Sequence, residues 1–168
     1  MRKILVMDTS ILCVWLGVRG KETCGPSGDR WDRGRVEELI QREREDGTMF
    51  VLPLASIIET GNHIAQSKGD RHAEAKKLAR LMVETADGKS PWAAFTRQSE
   101  LWQTDALKSL AATWPALAVQ RLSIGDATIE EVAKLYEKLG FSVEILTGDQ
   151  GLKAREPTLP RPVPRRRR

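Results

Sequence analysis

KILVMDTSIL, residues 3–12, changes character at Asp8. Lys3–Met7 is a continuous apolar run of the kind found in strands covered on both faces. From Thr9 to Gly17 the apolar residues recur at helical spacing. A buried strand that ends on a carboxylate and passes at once into a helix is half of a strand–helix unit. Asp8 either caps that helix or forms one wall of a site.

The rest of the chain repeats the alternation. Met49–Leu52 is a second apolar run, and Val119–Ile124 and Ser142–Thr147 read as further strands. Helical patterns fall at Arg33–Glu45, Ala55–Gln66, Arg71–Ala86, Thr104–Thr113 and Asp126–Leu139. In the last, Ile129, Val132, Ala133, Tyr136 and Leu139 share a face, and Gly140 is a stop signal. Arg33–Glu45 carries only a thin apolar stripe of Val36, Leu39 and Ile40, so it belongs on the surface. Two stretches, 19–34 and 86–99, read as irregular. Such alternation predicts an α/β domain built on a mainly parallel sheet.

At 168 residues, with 40% hydrophobic and 30% charged, the chain fits one ordinary globular domain. That domain is expected over 1–153, with a Pro/Arg-rich basic tail over 154–168 that has no reason to be regular. The formal net charge is +4, and Arg165–Arg168 supply four positive charges, so the remainder is balanced. A basic tail adds affinity for a polyanion without specifying a target. No apolar run approaches the roughly 20 residues of a membrane helix, and the N-terminus lacks a signal-peptide layout. Cys13 and Cys24, the two cysteines, have no zinc-type spacing. Reduced thiols in a cytoplasmic protein are expected.

Ligands of an open parallel sheet bind outside the carboxyl ends of its strands. Asp8 follows the first strand. Asp126 follows Val119–Ile124, after Gly125, and Asp149 follows Ser142–Thr147, after Gly148. Glu59 lies early in the helix after Met49–Leu52. That helix is expected to bury Ile57, Gly61 and Ile64, leaving Glu59 and His63 together on another face. Each acid has a structural reading. Asp8 and Asp126 can cap helices, Ser56 with Glu59 can form a capping box, and Asp149 can serve a turn. Gathered at one sheet edge, however, the four would repel one another, and a divalent cation would relieve the repulsion. All-oxygen ligands suit Mg²⁺ or Mn²⁺ better than zinc.

The blocks VMDTSIL (6–12), ASIIETGNHI (55–64), LSIGDATIEEVAKL (122–135) and ILTGDQGL (145–152) together resemble the four acidic motifs of PIN-domain nucleases. They are most similar to the toxins of bacterial toxin–antitoxin pairs. The resemblance implies a three-layer α/β/α sandwich around a mainly parallel sheet. It implies Mg²⁺- or Mn²⁺-dependent hydrolysis of RNA phosphodiester bonds, with Asp8, Glu59, Asp126 and Asp149 as the catalytic, metal-binding quartet. Asp8 and Asp126 would be direct ligands, and Ser10 would hold Asp8 by a hydrogen bond. A cognate antitoxin and a homodimer are the implied partners besides RNA. The chain departs from the pattern in its two long irregular stretches and in having no ordinary strand after Asp149.

His63, and a helical face of Arg71, Lys76, Lys77 and Arg80, are candidates to contact substrate. Trp92, Phe95 and Trp102 could stack on bases or fill a core. Two other readings compete. One is a PIN-like module that binds RNA or protein without cutting. The other is a haloacid-dehalogenase-type phosphohydrolase, which needs a second acid where Ser10 stands.

Overall fold

The computed structural model describes residues 1–158. The strand that opens the chain, β1 (Lys3–Met7), lies in the middle of a sheet of order β2-β1-β3. The outer strands are β2 (Met49–Val51) and β3 (Ser142–Leu146), both parallel to β1. Ile4, Leu5, Val6 and Met7 are wholly buried, Leu5 and Met7 toward one face and Ile4 and Val6 toward the other. Burying such a side chain contributes roughly 1.5–3 kcal/mol, so this short strand is a large share of the core.

Helices cover both faces. α1 (Thr9–Leu16), α2 (Arg33–Glu45), α3 (Leu54–Gln66) and α4 (Arg71–Ala86) supply Ile11, Leu12, Val36, Ile40, Ile64 and Leu78 to the Leu5 side. α6 (Ile124–Lys138) supplies Ile129, Val132, Ala133 and Tyr136 to the Ile4 side. The chain is thus a mixed α/β protein with a three-stranded, all-parallel sheet, compatible with an α/β sandwich. No helix among the described residues is long and apolar enough to cross a membrane.

Several expectations change. Val119–Ile124 is not a strand. α5 (Thr104–Val119) continues through Pro115 and ends on Val119, well past the expected stop at Thr113. Residues 120–123 then turn, with Arg121 at φ 64°, and Ser123 caps α6. The Val119–Ile124 apolar residues therefore belong to two helix ends and the turn between them. The 86–99 stretch is less irregular than it reads. Trp92 runs beside Phe50 as a one-residue parallel bridge, through Phe50 N–H to Pro91 O (2.8 Å) and Ala93 N–H to Phe50 O (2.8 Å). Trp92 is buried in the core, edge-on to Phe50 at 5.6 Å between ring centroids. A 3-10 helix over Phe95–Trp102 follows, pinned by buried Gln98, whose amide donates to Leu52 O at 2.9 Å. In 19–34, Cys24 and Trp31 pair across an antiparallel bridge.

Contacts to the domain continue just past the boundary expected at Lys153. After α7 (Gln150–Lys153), Glu156 accepts from Ile145 N–H (2.8 Å), and Lys153 Nζ donates to Ile145 O (3.0 Å). Two side chains thus occupy the outer edge of β3 where a further strand would pair. Arg155 reaches Glu130 of α6 at 3.1 Å. Residues 159–168 of the expected tail lie outside the described residues.

Candidate functional site

Four segments bring the four acids to one hollow of about 280 Å³, lined by Asp8, Glu59, Asp126 and Asp149 together with Ser10 and His63. Their routes differ from the expected one. Only Asp8 and Asp149 follow strands of the sheet. Asp126 sits in the first turn of α6, where its N–H donates to Ser123 Oγ (3.0 Å), so Ser123, not Asp126, is the cap. Glu59 projects from α3. The Ser56–Glu59 capping box does not form, because α3 already begins at Leu54 after Pro53. Ser56 instead donates to Met7 O (2.8 Å), satisfying a carbonyl at the end of β1. The buried stripe of α3 is accordingly Ser56, Thr60 and Ile64, whereas Ile57 and Gly61 are only half-buried.

Asp8 is 4% exposed and is held by hydrogen bonds to one oxygen. Its Oδ2 accepts from Ser10 N–H (3.3 Å), Ser10 Oγ (2.7 Å) and Thr147 Oγ1 (2.7 Å). None of these bonds uses Oδ1. The same two hydroxyls brace the opposite wall. Ser10 Oγ accepts from Gly148 N–H (3.0 Å) and Thr147 Oγ1 from Asp149 N–H (2.9 Å). Asp149 in turn caps α7, accepting from Leu152 N–H at 3.1 Å. Thr9 Oγ1 donates to Glu59 Oε2 at 2.9 Å. Asp8 and Glu59 are thereby oriented by hydroxyl donors from other segments, and Asp149 by the first turn of its own helix.

Two glycines make the close approach possible. Each directly precedes an acid, in Gly125-Asp126 and Gly148-Asp149. A Cβ on Gly125 would run into the Glu59 carboxylate, and one on Gly148 would lie 2.6 Å from Cys24 Sγ and 2.8 Å from Gly25 N.

The charges feel one another. Burial pushes Asp126 above the ordinary carboxylate range, the Ser123 hydroxyl opposes it, and the charges of Asp8 and Asp149 add to the rise. Burial also raises Glu59, against the Thr9 hydrogen bond and with help from Asp126 and Asp8. Both cysteines are free and line the same hollow. Burial raises the Cys13 thiol to about 11 and raises Cys24 as well, so both stay protonated near neutral pH. Protonated thiols are poor ligands. Besides the thiols and the His63 imidazole, the donors of the hollow are four carboxylates, and an oxygen-dominated set suits a hard cation such as Mg²⁺ or Mn²⁺. Among the described residues no three His, Cys, Asp or Glu side chains already converge as a ligand group. The acids line a shared hollow without closing a shell.

His63 lines this hollow, and burial followed by the Lys21 charge lowers its pKa. Arg71, Lys76 and Lys77 do not line it. They lie on α4, where Lys77 Nζ donates to Leu16 O at the end of α1 (3.0 Å). Lys21 and Thr23, from the 19–34 loop, line the hollow in their place and carried no periodic or motif signal. A larger hollow, about 530 Å³ between α5 and α6, is lined by Glu130, Lys134 and Arg155. These charges pair with one another, at 2.8 Å for Lys134–Glu130 and 3.1 Å for Arg155–Glu130. No family model, curated protein or solved structure matches the chain.

Proposed function

We propose that this chain is a PIN-like, Mg²⁺- or Mn²⁺-dependent ribonuclease that hydrolyses RNA phosphodiester bonds at the Asp8–Glu59–Asp126–Asp149 hollow. The observation that carries the reading is that four acids from four separate segments line one small hollow. Burial raises Asp126 and Glu59 above the ordinary carboxylate range, and the charges of the neighbouring acids add to the rise. A fold that gathers such groups without a partner bears a repulsive cost. A cation-dependent site gives that cost a purpose.

In this reading Asp8 and Asp126 hold the cation directly, with Asp149 and Glu59 completing its surroundings. When bound, the cation supplies Lewis-acid polarisation of the phosphoryl group and a lowered pKa for the attacking water. The protein's own groups do the positioning. Ser10 and Thr147 fix one oxygen of Asp8 and leave the other toward the hollow. Thr9 aims Glu59, and Gly125 lets it close against α6. His63, kept neutral by its surroundings, and Lys21 stand at the rim. Ser10 occupies the place of a phosphohydrolase's second acid and is engaged as a donor to Asp8, which counts against that alternative.

The further reading as the toxin of a toxin–antitoxin pair, with a cognate antitoxin and a homodimeric state, is supported by the four motif blocks alone. One experiment tests enzyme and role together. Wild type and Asp8→Asn are expressed under induction and RNA ends are mapped in the cell. The purified proteins are then assayed on single-stranded RNA with Mg²⁺, with Mn²⁺ and with EDTA. The reading expects growth arrest and cation-dependent cleavage that Asp8→Asn abolishes. Wild-type rates in Asp8→Asn, or cleavage undiminished by EDTA, would remove it.

A further inference from the structure

An acidic hollow repels a polyanion, so a site that cuts one needs cations nearby to bring it in. The structure has a second hollow of about 610 Å³ directly beside the first, and Lys21 and His63 line both. Arg19 and Lys68 line the second as well. All three cations are exposed, and among the described residues none of them forms an ion pair with a carboxylate. The one acid lining this hollow, Glu22, turns its Oε1 to Gly20 N–H at 2.8 Å and its charge lies near Arg19, so the three cations leave the hollow net positive.

The turn that presents these cations is built rather than loose. Lys21 N–H donates to Val18 O at 2.9 Å. Arg19 N–H donates to Oε1 of buried Glu74 (3.2 Å), which also accepts from Ser67 Oγ (3.1 Å). Ser67 Oγ accepts from Gly69 N–H at 3.0 Å. A Cβ on Gly69 would come within 2.9 Å of Arg19 Cβ, so the glycine lets this turn seat on the α3–α4 connection. Backbone bonds hold the turn, and the side chains of Arg19 and Lys21 are left to the hollow.

We propose that Arg19, Lys21 and Lys68 form a phosphate-binding site that grips the backbone of the substrate strand next to the acidic hollow. This rests on the reading of the acidic hollow as a phosphodiesterase site. It assigns substrate contact to the 19–22 turn and the α3–α4 connection rather than to the α4 face of Arg71, Lys76 and Lys77. These residues are positioning groups that act on binding and not on the reacting bond.

The test measures binding without cleavage. A fluorescein-labelled oligouridine of about a dozen nucleotides is titrated with protein in EDTA across a range of NaCl, read by anisotropy. The variants are Arg19→Ala/Lys21→Ala/Lys68→Ala and, as a control on α2, Arg42→Ala. The triple variant is expected to bind at least about tenfold more weakly at low salt. Its log–log salt dependence should flatten by about 0.7 for each lost contact, roughly 2 in all. Arg42→Ala should match wild type in both. A triple variant with wild-type affinity and slope overturns the proposal, as does wild type that does not bind the strand. The Mn²⁺-induced rise in melting temperature, measured in parallel, reports on the acidic hollow alone. Its absence in wild type would sink the nuclease reading, while its retention in the triple variant would leave that reading standing whatever the anisotropy shows.

Discussion

In the proposed reading Asp8 has a separate task for each of its two oxygens. Oδ2 closes the N-terminus of α1 and collects three donors, and Oδ1 is left out of that network. An asparagine keeps an acceptor for the first task and removes the charge needed for the second. Asp8→Asn should therefore fold with a near-wild-type circular dichroism spectrum and lose cation-dependent cleavage by at least about 100-fold, several kcal/mol of transition-state stabilisation. Ser10→Ala acts differently. It removes a donor to Asp8 and leaves the Gly148 N–H without its acceptor, at a cost of about 1–3 kcal/mol measurable by urea unfolding. Glu59 and Asp126 carry the pH dependence. Both are raised in the folded chain, so the folded state binds protons more readily than the unfolded state. In EDTA, their contribution destabilises the fold at neutral pH and fades as the pH falls toward ordinary carboxylate values of about 4. Glu59→Gln and Asp126→Asn should each raise the melting temperature in EDTA at neutral pH and make it less dependent on pH from there downward. Lower melting temperatures in both variants would show that the charges are not in conflict.

At the scale of elements, the readable parts were those where one signal dominated. Lys3–Met7 is uniformly apolar because both faces of β1 are covered, and α6 shows its stripe because one face lies on the sheet. α5 misled because it buries no residue fully; only Ala106, Leu110, Trp114 and Leu117 are half-buried, so its stripe is weak past Thr113, and Pro115 lies inside it. A proline there removes one intrahelical bond, and a helix whose packed face is only half-buried has less tertiary packing to offset the loss than α6 has. Amide hydrogens of α5 should exchange markedly faster than those of α6, by mass spectrometry; equal protection would contradict this account. Among the described residues no further strand pairs with the outer edge of β3, and this has a physical reason too. Glu156 and Lys153 bond the outer edge of β3 at Ile145 with side chains, a solution that no strand propensity announces. Glu156→Ala leaves the Ile145 N–H unpaired and should destabilise the chain by about 1–3 kcal/mol in urea unfolding.

Across the whole molecule, the acids were legible and their supports were not. Asp8, Glu59, Asp126 and Asp149 stood out in the sequence as acids near the expected strand ends. They do share a hollow, although Asp126 arrives from a helix start and not from a strand. Thr147, Thr9 and Lys21 were missed because a hydroxyl or an amine in a turn has no pattern of its own until the fold sets it beside its partner. The sheet was read with four strands and has three among the described residues, since an apolar run at the junction of two helices is indistinguishable in sequence from a short strand. The account's central claim is that the four acids serve one cation-dependent site. Anomalous scattering from crystals grown with Mn²⁺ addresses it most directly. The claim predicts a peak within coordination distance of the Asp8 carboxylate and of at least two among Glu59, Asp126 and Asp149. Crystals with Mn²⁺ only on the outer surface, and none at this hollow, would contradict it.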